Sequence, residues 1–158
     1  MTRLEHEVHA DCPPERVWEI LSDLEAVQHY NPGVRTAQIE GTKRDGVGAI
    51  RVCGLNPKGR VVERVTVWEP GRAVGLEVVE SDWPLVSMRW VTHIEAHRSG
   101  TRIWQVLDYR VKFGLFGWFL DRLFLRRTLA RALDDVFAAL ARYSASGPST
   151  PNGAGHAV

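Results

Sequence analysis

The sequence predicts an α+β fold: a curved antiparallel sheet of about seven strands wrapped around one long C-terminal helix, with two short helices after the first strand. Three observations carry this. The stretch Leu115–Tyr143 contains no proline, has no glycine after Gly117, and is dominated by Ala, Leu and Arg, all strong helix formers. Seven shorter runs have strand character and are separated by turn signals. The connections among the last six runs are short, which pairs neighbours antiparallel in a meander.

Taken in order, Arg3–Ala10 alternates Leu4, His6, Val8 and Ala10 against Arg3, Glu5, Glu7 and His9, the period of a strand. Pro13-Pro14-Glu15 opens a helix, with Asp11 or Cys12 at the cap and Val17, Trp18, Leu21 and Leu24 on its buried face. Leu24–Tyr30 reads as a second short helix capped by Ser22 or Asp23, ended by the turn Asn31-Pro32-Gly33. The strands that follow are Val34–Gly41, Gly48–Leu55, Arg60–Trp68, Ala73–Glu80, Val86–Ala96 and Thr101–Phe113. In the long helix, Phe119, Leu123, Leu129, Ala130, Leu133, Val136, Phe137 and Leu140 recur at three- and four-residue steps and form one apolar stripe. Arg122 and Arg126 share that side; Arg131, Asp134 and Asp135 lie off it. Such a stripe needs a partner surface, and the sheet supplies one by curling around it. Residues 1–143 form one domain on this reading, and the Ser/Gly/Pro-rich residues 144–158 form a disordered tail.

Composition narrows the function. A chain of 158 residues that is 44% hydrophobic builds one real core. A net charge of +1 gives no reason to expect a nucleic-acid partner. Cys12 and Cys53 match no metal or redox spacing and read as free thiols of a reducing compartment; with the longest apolar run, Phe113–Leu120, too short to span a bilayer, a soluble cytoplasmic protein is expected, monomer or homodimer. The six histidines show no metal spacing, and no nucleophile triad or glycine-rich phosphate loop is present, so neither a metal nor a cofactor is expected.

Five stretches stand out: Pro13-Pro14-Glu15-Arg16-Val17-Trp18 after the first strand, Asn31-Pro32-Gly33, Gly48-Ala49-Ile50-Arg51, Glu63-Arg64-Val65, and Trp68-Glu69-Pro70-Gly71-Arg72. With the order of elements they resemble the START-like superfamily, the birch-pollen-allergen-like helix-grip fold also called SRPBCC, in its polyketide cyclase/dehydrase and lipid-transport branch. The resemblance spans Thr2–Tyr143. It implies a cavity between sheet and long helix that holds a small hydrophobic ligand, whether lipid-like, polycyclic or polyketide. It leaves open a non-catalytic carrier or sensor, an aromatase/cyclase, and a lipid or quinone chaperone with transient membrane contact. The apolar run 113–119 followed by Arg122, Arg126 and Arg127 suits the last, although a buried helix start explains it equally. Cys53–Lys58 stands where hormone receptors of this superfamily carry a mobile gate loop, though an ordinary hairpin turn accounts for it too. Asp82-Trp83-Pro84 would form the opposite rim.

Strand alternation names the expected lining: Glu63 and Val65, Leu76 and Val78, Met88 and Trp90, and Gln105, Leu107 and Tyr109. The helix adds Phe119, Arg122, Leu123, Arg126 and Phe137. An inward Glu63 facing Arg122 or Arg126 would be an internal ion pair, or a polar anchor for a carboxylate, phenolate or keto group at one end of an apolar ligand. His6 reads as a satisfied core histidine. No catalytic residue is assigned.

Overall fold

The computed structural model describes residues 1–83, 85–112 and 126–146. Seven strands form one sheet: β1 (Thr2–Ala10), β2 (Val34–Glu40), β3 (Ile50–Leu55), β4 (Arg60–Glu69), β5 (Ala73–Ser81), β6 (Leu85–His97) and β7 (Gly100–Val111). The order is β1-β7-β6-β5-β4-β3-β2, and every pair of neighbours is antiparallel. Consecutive strands from β2 to β7 pair as a meander, and β1 returns to the far edge against β7. Two short helices, α1 (Pro14–Ser22) and α2 (Val27–Tyr30), make the connection from one edge of the sheet to the other. The C-terminal helix α3 covers Arg126–Ala145. Residues 115–125 of the expected helix lie outside the described residues.

Helix α1 starts as the prolines dictate, with Pro14 at its first turn and Glu15 beside the positive end of the dipole. Its cap is Pro13 itself, with no side-chain hydrogen bond, rather than Asp11 or Cys12. Proline's fixed φ already sets the entry geometry, and the Pro13 carbonyl takes the first amide bonds of the helix. Leu24–Ala26 form a turn rather than helix. The Asp23 carboxylate accepts the Glu25 amide in that turn, so it does not cap α2, which starts after Ala26. Asn31 Oδ1 accepts the Gly33 amide and closes the turn into β2.

The main core joins Val17, Ile20 and Leu21 of α1 to Val65, Val74, Leu76, Ile94 and Ile103 of the sheet and Phe137 and Leu140 of α3. Burying each such side chain contributes about 1.5–3 kcal/mol. The alternation in β4 breaks where its pairing to β5 shifts between Val65 and Val67. Val67 therefore lies opposite Gly75, away from the core, and Trp68 packs against Trp18 of α1 at 5.3 Å between ring centroids. Strict alternation puts Val67 inside and Trp68 outside; the extra residue of a bulge exchanges them.

Helix α3 also runs beyond Tyr143. Ser144 is buried, and its hydroxyl donates to the Ala141 carbonyl, which places it in the last turn of the helix rather than in a tail. Residues 147–158 lie outside the described residues.

Candidate functional site

Between the concave face of the sheet and α3 lies a cavity of about 220 Å³. Strands β4 to β7 send in Val61 and Glu63, Val74 and Val78, Met88, Trp90 and Thr92, and Gln105 and Leu107. Helix α3 adds Leu129, Leu133, Val136, Phe137 and Leu140, five members of the sequence stripe. At one end the wall is made by Asn31, Gly33, Leu55, Trp83 and Leu85. Three turns meet there. Asn56 donates its amide to the Gly33 carbonyl and its side chain to the Pro32 carbonyl, tying the β3–β4 turn to the α2–β2 turn. Asp82 bonds to the backbone of Arg60 through both its carboxylate and its amide, tying the β5–β6 turn to β4. Trp83 lines the cavity, is 40% exposed, and stands beside Gly59, where an added Cβ would lie 3.5 Å from its Nε1. It therefore closes the β3–β4 turn and walls the cavity at once. Pro84 of the expected rim lies outside the described residues.

Besides Asn31 at that end, the apolar wall is broken by polar groups at two places. One is Thr92, whose hydroxyl donates to Gln105 Oε1 at 2.8 Å across β6 and β7. The other is a buried cluster centred on Glu63. Alternation places this carboxylate inside, where it is cavity-facing. Its partner is Arg51 of β3, directly opposite in register. Arg51 Nε donates to Glu63 Oε2 at 2.7 Å, and Nη2 lies 2.6 Å from the same oxygen. Arg51 Nη1 donates to the Leu24 carbonyl at 2.9 Å, so the α1–α2 connection helps to hold the guanidinium. Cys53 Sγ, two residues along β3, donates to Glu63 Oε2 at 3.5 Å.

The electrostatics follow from burial. Burial works against the Arg51 charge, and the adjoining Glu63 carboxylate more than offsets it, so the guanidinium stays protonated with its pKa raised. The Cys53 thiol is pushed up to about 12 by burial and then by Glu63, and remains a thiol at neutral pH. Burial also pushes the Tyr30 phenol up to about 12, against an opposing pull from Arg51, which keeps a neutral hydroxyl beside the pair. Among the described residues the cavity wall thus holds one compensated ion pair, Arg51 and Glu63, beside uncharged donors.

The sequence-predicted positions separate into three groups. Glu63, Val78, Met88, Trp90, Gln105, Leu107 and Phe137 line the cavity. Val65 and Leu76 belong to the close-packed main core, and Tyr109 packs with Leu4 and Leu107 in a smaller cluster. Phe119, Arg122 and Leu123 lie outside the described residues, as does the side chain of Arg126, whose backbone starts α3. Glu63 pairs across the strands with Arg51, while the helix arginines expected to face it, Arg122 and Arg126, have side chains outside the described residues. The register follows from the turn: Leu55 closes on Gly59 around Asn56–Lys58, and counting back equally from that pair sets Arg51 against Glu63, whereas the four-residue turn Asn56–Gly59 read from the sequence would set Arg51 against Arg64. Tyr30 and Thr92 complete the polar positions. His6 is not in the cavity wall. Its Nδ1 lies 2.9 Å from Asp134 Oδ1 and its ring sits 5.0 Å from Phe137, so it joins β1 to α3.

Cys12 and Cys53 are both free and buried. Among the described residues no group of three or more His, Cys, Asp and Glu side chains is placed to hold a metal ion, and no helix is long and apolar enough to cross a membrane.

A family model described as polyketide cyclase / dehydrase and lipid transport matches residues 1–145. No protein of curated function gives a significant sequence match. Among solved structures, TTHA0849 from Thermus thermophilus is similar with a TM-score of 0.78 at 18% identity, covering 94% of this chain and 100% of that one. The Zhui aromatase/cyclase from Streptomyces sp. R1128 gives 0.77 at 15% identity, over 90% and 93% of the two chains. Ara h 8.0201 gives 0.70 at 13% identity, over 90% and 97%. At these identities the likeness is one of fold.

Proposed function

Since the chain belongs to the polyketide cyclase/dehydrase and lipid transport family, we propose that it binds a small hydrophobic molecule in the cavity between sheet and α3. The observation that carries this reading is the cavity itself: about 220 Å³, apolar on most of its wall, with one buried ion pair, Arg51 and Glu63, among the described residues that line it. A dry apolar cavity of about 150 Å³ is enough to take up a benzene ring. The larger space here suits a molecule of about two fused rings or a short branched chain. Apolar walls with a few placed polar groups are what orient such ligands. Residues Glu63, Val78, Met88, Trp90, Gln105, Leu107 and Phe137 would touch it.

The test is a fluorescence titration with N-phenyl-1-naphthylamine, an uncharged apolar probe. Val78→Trp puts an indole into the space between β5 and α3. Binding should weaken at least about tenfold, a loss of about 1.4 kcal/mol, with the far-UV circular dichroism unchanged. Equal binding by the variant and the wild type would place the probe elsewhere. Native mass spectrometry of protein purified without denaturant would show whether a ligand travels with it, and its mass.

A further inference from the structure

We infer that the cavity reads a hydroxyl on its ligand as a hydrogen-bond donor, with Glu63 Oε1 as the acceptor, and discriminates against ligand carboxylates. This rests on the reading of the cavity as a ligand site and specifies which chemistry that site selects.

The two oxygens of Glu63 are used unequally. Oε2 receives Arg51 Nε, lies 2.6 Å from Arg51 Nη2, and also receives the Cys53 thiol. Among the described residues, no hydrogen bond is made to Oε1. A carboxylate has about four acceptor positions, and the described donors, Arg51 and Cys53, all fall on one oxygen. Glu63 lines the cavity, so its carboxylate belongs to the wall. A carboxylate oxygen on a mostly apolar wall gains from a donor, and a ligand O–H would supply one.

The same geometry removes the cation as an anchor. Arg51 is committed to Glu63 and to the Leu24 carbonyl, and its charge is balanced by one carboxylate. Among the described residues that line the cavity Arg51 is the one cation, so a ligand carboxylate would bring a second anion against it in a low-dielectric space. A neutral hydroxyl leaves the pair balanced. Tyr30 also lines the cavity and feels the charges of both Arg51 and Glu63.

The experiment compares three two-ring probes of matched size in competition with N-phenyl-1-naphthylamine on the wild-type protein at neutral pH. They are 2-naphthol, which donates; 2-methoxynaphthalene, which only accepts; and 2-naphthoate, which is anionic. Naphthol should displace the fluorophore about tenfold more tightly than the methyl ether, the effect of one hydrogen bond to a charged acceptor. Naphthoate should be the weakest of the three. Equal affinity of naphthol and its ether, tighter binding of naphthoate, or no displacement by any of them overturns the inference while leaving the cavity as a binding site. A fluorophore that does not bind at all overturns the cavity reading instead. In Glu63→Gln the order should invert, with naphthoate preferred over naphthol; the wild-type comparison stands even if that variant does not fold.

Discussion

Two sets of cross-strand ion pairs lie on opposite faces of one sheet. On the concave face, Arg51 and Glu63 sit opposite each other on β3 and β4, with side chains only 7% and 10% exposed. On the convex face, Arg3 pairs with Asp108, Arg102 with Glu7, and Arg64 with Glu77, again between neighbouring strands. The arrangements are similar, and the surroundings differ. Outside, at least one member of each pair is open to water and salt, although Asp108 itself is largely covered, so screening leaves each pair a smaller contribution. Inside, neither charge has an alternative partner in water, so each depends on the other. Arg102 also stands 4.8 Å over the Trp104 ring, which itself stacks on His93. The convex face is a set of local contacts, whereas the concave pair decides what the cavity presents.

The sharpest way to break this contrast is to remove one member of the inner pair. Arg51→Met should destabilise by about 3–5 kcal/mol, because Glu63 is left buried and unpaired. Joining it to Glu63→Leu should recover most of the loss, since two apolar residues in contact leave no uncompensated charge. Urea unfolding of the two single variants and the double variant measures the coupling. Purely additive losses would show that the two side chains do not depend on each other.

A smaller effect is expected from salt. Raising ionic strength should leave the penalty of Arg51→Met unchanged, while any penalty of Arg102→Gln should vanish as screening removes the pair it breaks. Melting curves at low and high salt on both variants would show it. An outer variant as sensitive as the inner one would dissolve the distinction.

The smallest effect concerns acid. The Asp108 carboxyl is held below its ordinary value, first by its hydrogen bond from Arg3, against a desolvation cost. A depressed folded-state pKa means the contribution is fully present above the unfolded value of about 4 and is lost as pH falls through the folded value. Asp108→Asn should therefore lower stability at neutral pH and converge with wild type in strong acid. Parallel pH profiles for the two proteins would show that Asp108 does not titrate with folding.

Most of the fold could be read in advance because its signals are local. Alternation marks strands, prolines start α1, and a three-to-four spacing marks α3. The positions that depart from that reading are those where a second element intervenes. Trp68 turns inward because β4 carries a bulge, and a bulge has no signature in a run of valines. Glu63 is placed inside by its own strand, but its partner depends on the register of the next one, where Arg51 lies. Val65 and Leu76 share the inward face with Val78, yet whether an inward residue meets core or cavity depends on how closely α1 and α3 approach. That is a property of packing, not of period.

Locating a bound apolar molecule tests the interior site most directly. Methyl-labelled protein titrated with 2-naphthol and followed by NMR reports every valine and leucine at once. The predicted result is that shifts concentrate at Val61, Val78, Leu107, Leu133 and Leu140, which wall the cavity on both sheet and helix. Val47, Val79 and Val86, exposed to solvent, should stay in place. Shifts confined to those exposed valines, with the cavity methyls unmoved, would contradict an interior site.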